Sequence, residues 1–334
     1  MKKTKDTDYL HISARIRCIE GQLLTNAQRT RLAEAASAEE AAKILTDQGW
    51  PDFDWRDMNA LEEVIRARRQ QVTELLYEHI PVPELIGVFR LKYDYHNIKA
   101  VLKGEAQNVD PSHLLSDSAL IPPKELQRMM REKEYEAMAP VMAKAVEEAS
   151  ELLARTADPQ LSDMVLDRAE QWQALTMAQE TGSDFLQGYV SRQIDCNNLR
   201  TAVRLTRMGK GLDYMARAIS QGGKVPVEVF YHPEGMTPEW LEHTLAGTVL
   251  APALPSAKAA LEGEGFARLD KACDDILIEY ARGARFVPFG EQTVIAYLLA
   301  NEAEFSAVRT ILAGKNAGLS SEKIVERLRE SYVV

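Results

Sequence analysis

Three segments of this chain decide its fold, and they align with one another without a gap. They read LIGVFRLKYDYHNIKAVLKG at residues 85–104, LQGYVSRQIDCNNLRTAVRL at residues 186–205 and IAYLLANEAEFSAVRTILAG at residues 295–314. Apolar residues recur in each segment at spacings of three and four, which is typical of a helix with one buried face. Any amphipathic helix shows such a stripe, so the apolar pattern alone does not establish a repeat.

Polar residues at matching positions indicate that the segments are copies of one unit. The aligned acids are Asp94, Asp195 and Glu304, and the aligned cations five residues later are Lys99, Arg200 and Arg309. Asn97 also matches Asn198, whereas the third segment has Ala307 there. The acids lie 101 and 109 residues apart, so three such units account for the 334 residues. We therefore predict helical units at residues 1–107, 108–212 and 213–334 in a pseudo-threefold, funnel-like arrangement.

The rest of the chain also has the composition of helices. Ala, Leu, Glu, Arg and Gln dominate between Gly and Pro breakers, and residues 61–76, 166–178 and 269–281 each predict a helix ahead of a repeat segment. Gly104 and Gly314 are expected to lie just past the ends of their helices, and the second repeat helix to stop near Gly209. The best strand candidate, VPVEVFY at residues 225–231, contains Pro226 and favours an extended loop. The expected fold class is all-α.

Composition and charge exclude several classes of function. The formal net charge is -10 and the pI is about 5.3, which makes nucleic acid and anionic lipid poor partners. The polar start MKKTKDTDY resembles no signal peptide, and no stretch has the length of a membrane span. Three widely spaced cysteines fit a reducing compartment. We expect a soluble protein that reaches a membrane only through other proteins.

Catalytic motifs are weak or missing. The three Gly-Lys pairs lack the Ser or Thr that completes a phosphate-binding loop, so no direct nucleotide contact is expected. The histidines lack the spacing of metal ligands, and we expect no metal and no other cofactor. The most enzyme-like cluster is Asp270, Asp274, Asp275 and Glu279, which share a helix face and could hold magnesium. A magnesium-dependent enzyme is therefore one alternative, although a solvated acidic face is favoured.

The repeated cations allow two interpretations. Five residues turn a helix by about 140°, so Asp94 cannot pair with Lys99 along one face, and each cation must contact another helix or another chain. Lys99, Arg200 and Arg309 are then either internal struts or partner-binding cations. Because a position shared by every unit is more often needed for packing, the strut interpretation is slightly favoured.

The chain resembles a known family over nearly its full length. The similar stretches are YLHISARIRCIEGQLL at residues 9–24, KYDYHNIK at residues 92–99, DCNNLR at residues 195–200, and the tail, which includes YLL at residues 297–299 and VRTILAGK at residues 308–315. Together they resemble the C subunit of the archaeal and bacterial V/A-type rotary ATPases, whose eukaryotic counterpart is the d subunit of the vacuolar proton pump. The third repeat segment departs from the family pattern, because Ala307 stands where the first two segments have Asn97 and Asn198.

The resemblance implies a socket without catalytic activity. Such a protein sits at the cytoplasmic mouth of the membrane rotor ring and receives the foot of the central shaft, so the implied partners are shaft subunits and ring proteolipids. It would couple ATP turnover to proton or sodium transport without binding nucleotide or ion. A helical scaffold for other partners is the second alternative, although solenoid repeats are usually far shorter than the roughly 100 residues of this repeat.

Overall fold

The computed structural model describes residues 4–232 and 235–333, and all regular structure in these ranges is helical. Short 3-10 helices connect the α-helices. The all-α prediction is confirmed for the described residues. The α-helices are α1 Leu10–Ile19, α2 Asn26–Glu34, α3 Ala38–Asp47, α4 Met58–His79, α5 Glu84–Gln107, α6 Pro123–Glu132, α7 Pro140–Thr156, α8 Pro159–Thr181, α9 Asp184–Arg207, α10 Leu212–Ala218, α11 Pro238–Leu245, α12 Leu254–Glu262, α13 Ala267–Arg282, α14 Glu291–Asn316 and α15 Ser321–Arg327.

The chain divides by its internal contacts into two compact units. Unit 1 contains residues 1–82 and 250–334, and unit 2 contains residues 83–249. The repeat segments lie within α5 and α9 of unit 2 and α14 of unit 1. The helices predicted ahead of them, at residues 61–76, 166–178 and 269–281, lie within α4, α8 and α13 respectively. The finer division at residues 107 and 212 stays a prediction.

Unit 1 is built around α14. This helix packs against α1, α2, α3, α4, α13 and α15, and every residue from Thr293 to Asn301 is buried. Phe305, Val308 and Leu312 continue its apolar face into a core shared with α2, α3 and α4. A helix that is apolar on nearly all sides must lie inside its unit, because leaving such surface in water is unfavourable.

Unit 2 is built around α8, which packs against α5, α7 and α9. The α7–α8 hairpin turns at Ala157, whose φ is 52°, and at Asp158, whose carboxylate caps α8 by accepting from the backbone of Gln160. Pro159 occupies the first helical position, where a missing N–H has no cost. Leu91, Tyr95 and Leu166 belong to the core between these helices.

The three repeat helices end at aligned positions with the same backbone motif. The left-handed residues that close them are Asn108, Gly209 and Gly318, with φ of 54°, 65° and 70°. In each case the following N–H bonds the carbonyl five residues back, and the acceptors are Gly104, Leu205 and Gly314. These are Schellman ends. The expectation that Gly104 and Gly314 lie past the helix ends is wrong, because both are inside the last turn.

Close packing explains the two glycines. A Cβ at Gly104 would lie 2.8 Å from the carbonyl oxygen of Val109, and one at Gly314 would lie 2.8 Å from Ile324. Both distances are shorter than van der Waals contact. The strand candidate at residues 225–231 also needs correction, because Val227–Phe230 forms a 3-10 helix after Pro226 instead of an extended loop.

Candidate functional site

The first aligned acid, Asp94, is fully buried on α5 and binds backbone. Its Oδ1 accepts from the N–H of Ile121 at 2.8 Å, and its Oδ2 accepts from the N–H of Leu120 at 3.1 Å. These two residues directly precede Pro122, the N-cap of α6. A carboxylate that binds two consecutive N–H groups fixes the position and direction of the chain there. Asp94 thus positions the start of α6.

Asp195 on α9 repeats this arrangement. Its oxygens accept from Lys224 N at 2.8 Å and Val225 N at 3.0 Å, directly before Pro226, which caps the next 3-10 helix. Gly223 approaches so closely that a Cβ there would lie 2.0 Å from Oδ1 of Asp195. Only glycine can occupy this position without displacing the carboxylate.

The aligned amides bind the same connections through reciprocal pairs. Asn97 accepts from Ser116 N at 2.8 Å and donates to Ser116 O at 3.0 Å. Asn198 makes the same pair with Ser220, at 2.9 and 2.8 Å. Ser116 stands six residues before Pro122 and Ser220 six before Pro226, so this spacing is a sequence signal that could have revealed both sites.

The third acid, Glu304 on α14, binds a segment from the other end of the chain. Its Oε2 accepts from the N–H of Leu24 at 2.5 Å, and Leu24 directly precedes Thr25, the N-cap of α2. Ala307 replaces the amide, so this site has no reciprocal pair. Arg68 lies nearby, with its guanidinium 3.9 Å from Oε1 of Glu304. We call these three arrangements the carboxylate clamps of Asp94, Asp195 and Glu304.

All three clamp carboxyls are fully buried, and their pKa values are raised. Burial raises the pKa of Asp94 to about 6, although the N–H groups of Ile121 and Leu120 act in the opposite direction. Burial also raises the pKa of Asp195 and of Glu304. The clamp acids are therefore not part of the exposed surface of their units.

Two of the aligned cations pair with helices of the same unit. Lys99 on α5 binds Asp167 on α8. Arg309 on α14 binds Glu62 on α4 through two bonds of 2.5 and 2.7 Å. The side chains of Arg309 and Glu62 are about 40% exposed. The acid and the cation of one segment do not pair with each other, as expected for side chains that lie about 140° apart around a helix.

Arg200 is part-buried on α9, and one of its nitrogens donates to Oδ1 of Asn197 at 3.3 Å. Sequence patterns did not identify the acids that face Lys99 and Arg309. The neighbouring pair, in which Lys103 on α5 binds Asp163 on α8 at 2.7 Å, was missed as well. Asp163 and Asp167 are four residues apart on α8, and Lys99 and Lys103 are four residues apart on α5. This matching spacing could have revealed both ion pairs from the sequence.

The acidic cluster on α13 binds side chains and backbone near the C-terminus of the chain. Asp274 accepts from Arg329 at 2.9 Å, and Asp275 accepts from the backbone N–H of Glu330 at 2.7 Å. Glu279 pairs with Arg282 at 2.8 Å. Arg282 is on α13 as well, so two of the four acids, Asp274 and Asp275, hold the C-terminal segment against α13.

Every helix of the described residues is too short or too polar to cross a membrane.

Comparisons with known proteins agree over almost the whole chain. The profile of a family described as ATP synthase (C/AC39) subunit matches residues 12–327. The C subunit of the V-type sodium ATPase of Enterococcus hirae is 21% identical over 330 residues, which cover 97% of this chain and 99% of that protein.

Archaeal proteins are similar to the same extent. The C subunit of the A-type ATP synthase of Desulfurococcus sp. is 26% identical over 96% of this chain and 91% of its own length. The corresponding C subunit of the A-type ATP synthase of Thermococcus kodakarensis is 24% identical over 98% of this chain and 92% of its own length.

Proposed function

The chain belongs to the ATP synthase (C/AC39) subunit family, and we propose that it is the socket between the central shaft and the membrane rotor ring of a V/A-type rotary ATPase. Members of this family are non-catalytic structural subunits of rotary ATPases, so the chain is not an enzyme. As a socket it would transmit torque, and thereby couple ATP turnover to proton or sodium transport.

One observation carries this proposal above all others. The alignment with the Enterococcus hirae protein runs through 97% of this chain and 99% of that protein, so the two are similar over nearly their whole length and not in one module alone. If the chain were a general helical scaffold, we would not expect its sequence to be similar to a rotary-ATPase subunit from end to end.

The carboxylate clamps support a mechanical role. Asp94, Asp195 and Glu304 each fix the start of another helix to the middle of a long repeat helix. A buried carboxylate bound by backbone N–H groups resists displacement, because breaking the bonds leaves unpaired polar groups in the interior. Torque transfer requires such stiff joints between helices.

We further infer the three-unit, funnel-like arrangement, with units at residues 1–107, 108–212 and 213–334. The aligned clamps and the aligned Schellman ends of α5, α9 and α14 support three equivalent helices. Three similar units around an opening would suit a part that joins a ring of identical subunits to one shaft.

We infer that two of the aligned cations, Lys99 and Arg309, act as weak struts within their own units. Lys99 and Arg309 pair with acids on neighbouring helices of their own units, which supports the structural interpretation over direct shaft binding. Both pairs remain partly exposed, so a partner could still approach them. The acids Asp94, Asp195 and Glu304 contribute through the clamps.

We place the protein at the cytoplasmic face of the membrane as a peripheral component. The net charge of -10 opposes attraction to anionic lipid, so contact with the rotor ring proteolipids would hold it there. The shaft subunits would be its second partner.

Co-purification tests the proposal. A tagged chain extracted from membranes in mild detergent should carry both shaft and ring subunits, identified by mass spectrometry. As a matched control, an equally tagged catalytic subunit should recover the same complex with this chain in it. Recovery of the tagged chain with unrelated proteins, and without shaft or ring, would identify a different scaffold.

A further inference from the structure

The connection between α5 and α6, residues 108–122, exposes large apolar side chains. Val109, Leu114 and Leu120 are 55%, 54% and 38% exposed, and they are three of the eight exposed large apolar residues among the described positions. Connections on a protein surface are usually polar, so large apolar side chains exposed in a connection point to contact with a partner. Of the three, Val109 borders a groove on the surface.

This connection is held rigidly although it lies at the surface. At its start, the N–H of Val109 donates to the carbonyl of Gly104. Further along, the ring of His96 bonds Leu114 O at 3.0 Å, and Arg90 donates to the carbonyls of Ser118 and Ala119. In its second half, the backbone N–H groups of Ser116 and Ile121 donate to Asn97 and Asp94. An apolar surface that is ordered before binding loses little conformational entropy on contact with a partner.

An open groove of about 740 Å³ lies beside this connection. Val109 and Pro111 contribute apolar surface to it, above the buried Val101. One wall is the exposed face of α6, where Lys124, Arg128 and Arg131 follow one another at helical spacing.

The opposite wall of the groove carries Glu105 and Asp110, so the positive charge is confined to the α6 side. Arg128 binds Glu132 at 2.9 Å and Glu134 at 2.6 Å, and all three side chains are largely exposed. Exposed ion pairs of this kind contribute little energy and can exchange for a partner's carboxylate.

We propose that this groove binds an acidic amphipathic helix of a protein partner. The apolar face of that helix would cover Val109 and Pro111, and its carboxylates would face Lys124, Arg128 and Arg131. The apolar surface and the one-sided basic wall together select this chemistry over a polar or basic segment. The proposal does not depend on the rotary ATPase assignment, since it concerns this surface alone.

The test uses the full chain and two synthetic helical peptides of about 18 residues, or five turns. One peptide carries Leu on one face and Glu beside it, and the other carries Lys in place of Glu. Fluorescence anisotropy at physiological salt should show that the Glu peptide binds at least roughly tenfold more tightly than the Lys peptide. Hydrogen exchange should show protection of residues 101–131.

Two variants locate the binding surface. Lys124→Glu/Arg128→Glu/Arg131→Glu should weaken binding of the Glu peptide by roughly tenfold, since each exposed pair contributes modestly. Val109→Asp should weaken it by a similar factor through loss of apolar contact. The matched control, Arg31→Glu/Lys43→Glu/Lys323→Glu, changes exposed cations of unit 1 and should leave the affinity unchanged. Circular dichroism checks that each variant is folded.

Several results would overturn the proposal. These are equal binding of both peptides, an equal loss of affinity in the control variant, or protection outside residues 101–131. Self-association of the chain that Val109→Asp abolishes would show that a second copy covers the surface instead, and would also contradict the proposal.

Discussion

Glu304 accepts a hydrogen bond from the backbone N–H of Leu24 at 2.5 Å, so a side chain near the end of the chain fixes backbone near its beginning. Asp94 and Asp195 bind segments that follow them in sequence, at Ile121 and Val225. Leu24 stands where those residues stand, directly before a helix N-cap. The N-terminal segment therefore completes the third carboxylate clamp, and its contribution to stability can be measured.

Replacement of Glu304 by Ala should destabilise the protein by about 2 kcal/mol, because it leaves the N–H of buried Leu24 without a partner. Glu304→Gln should cost less than half as much, since its amide oxygen can still accept this bond. Urea denaturation of both variants measures the difference. Glu302→Ala is the matched control, because Glu302 lies on the same helix in a partly exposed pair with Arg69. Equal losses for Glu304→Ala and Glu304→Gln would rule out the clamp.

The clamp of Asp94 predicts a specific pH dependence. Burial raises its folded-state pKa from 3.8 to about 6, so the protonated form is favoured by folding. The resulting stability is fully present below pH 3.8 and is lost as the pH rises through about 6. Relative to Asp94→Asn, the wild type should lose up to about 3 kcal/mol between about pH 4 and pH 7. Unfolding free energies of both proteins across this range measure it, and a difference that is constant or grows with pH would contradict the assignment.

Gly223→Ala should destabilise the protein by about 2 to 3 kcal/mol, because its Cβ would lie 2.0 Å from Oδ1 of Asp195 and force the carboxylate from its clamp. Gly247→Ala is the control in the same unit, where a Cβ meets no atom within 4 Å. Thermal melts compare the two. In the Asp195→Ala background the cost of Gly223→Ala should shrink, and full additivity would show that the two residues do not interact.

The pair of Arg309 and Glu62 should contribute little to stability. Both side chains are about 40% exposed, and such pairs are typically worth less than about 1 kcal/mol. A double-mutant cycle with Arg309→Gln and Glu62→Gln measures the coupling energy. A coupling energy above about 2 kcal/mol would show that this strut is more important for the fold than its exposure indicates.

The repeat helices were predictable because their signal is local. Apolar spacing located α5, α9 and α14, and the aligned polar positions identified Asp94, Asp195 and Glu304 as equivalent. What these acids bind was not predictable from spacing within a helix. Their partners are backbone N–H groups 26 to 30 residues onward for the two aspartates, and 280 residues away for Glu304.

The two glycines show a second limit of the sequence. Gly104 and Gly314 look like helix terminators, but the residues that close the helices are Asn108 and Gly318, four positions later. Glycine at positions 104 and 314 is needed because the chain folds back against the last turn. A glycine needed for close packing and a glycine needed for its left-handed conformation look alike in a sequence, and only the path of the following residues separates them.

We propose that this chain joins the shaft to the rotor ring, and binding between the purified parts tests this proposal most directly. Purified shaft subunits should bind the detergent-solubilised ring only when this chain is added, and a complex containing all three should elute together in size-exclusion chromatography. Shaft that binds the ring equally well without the chain, or a chain that binds neither, would contradict the account.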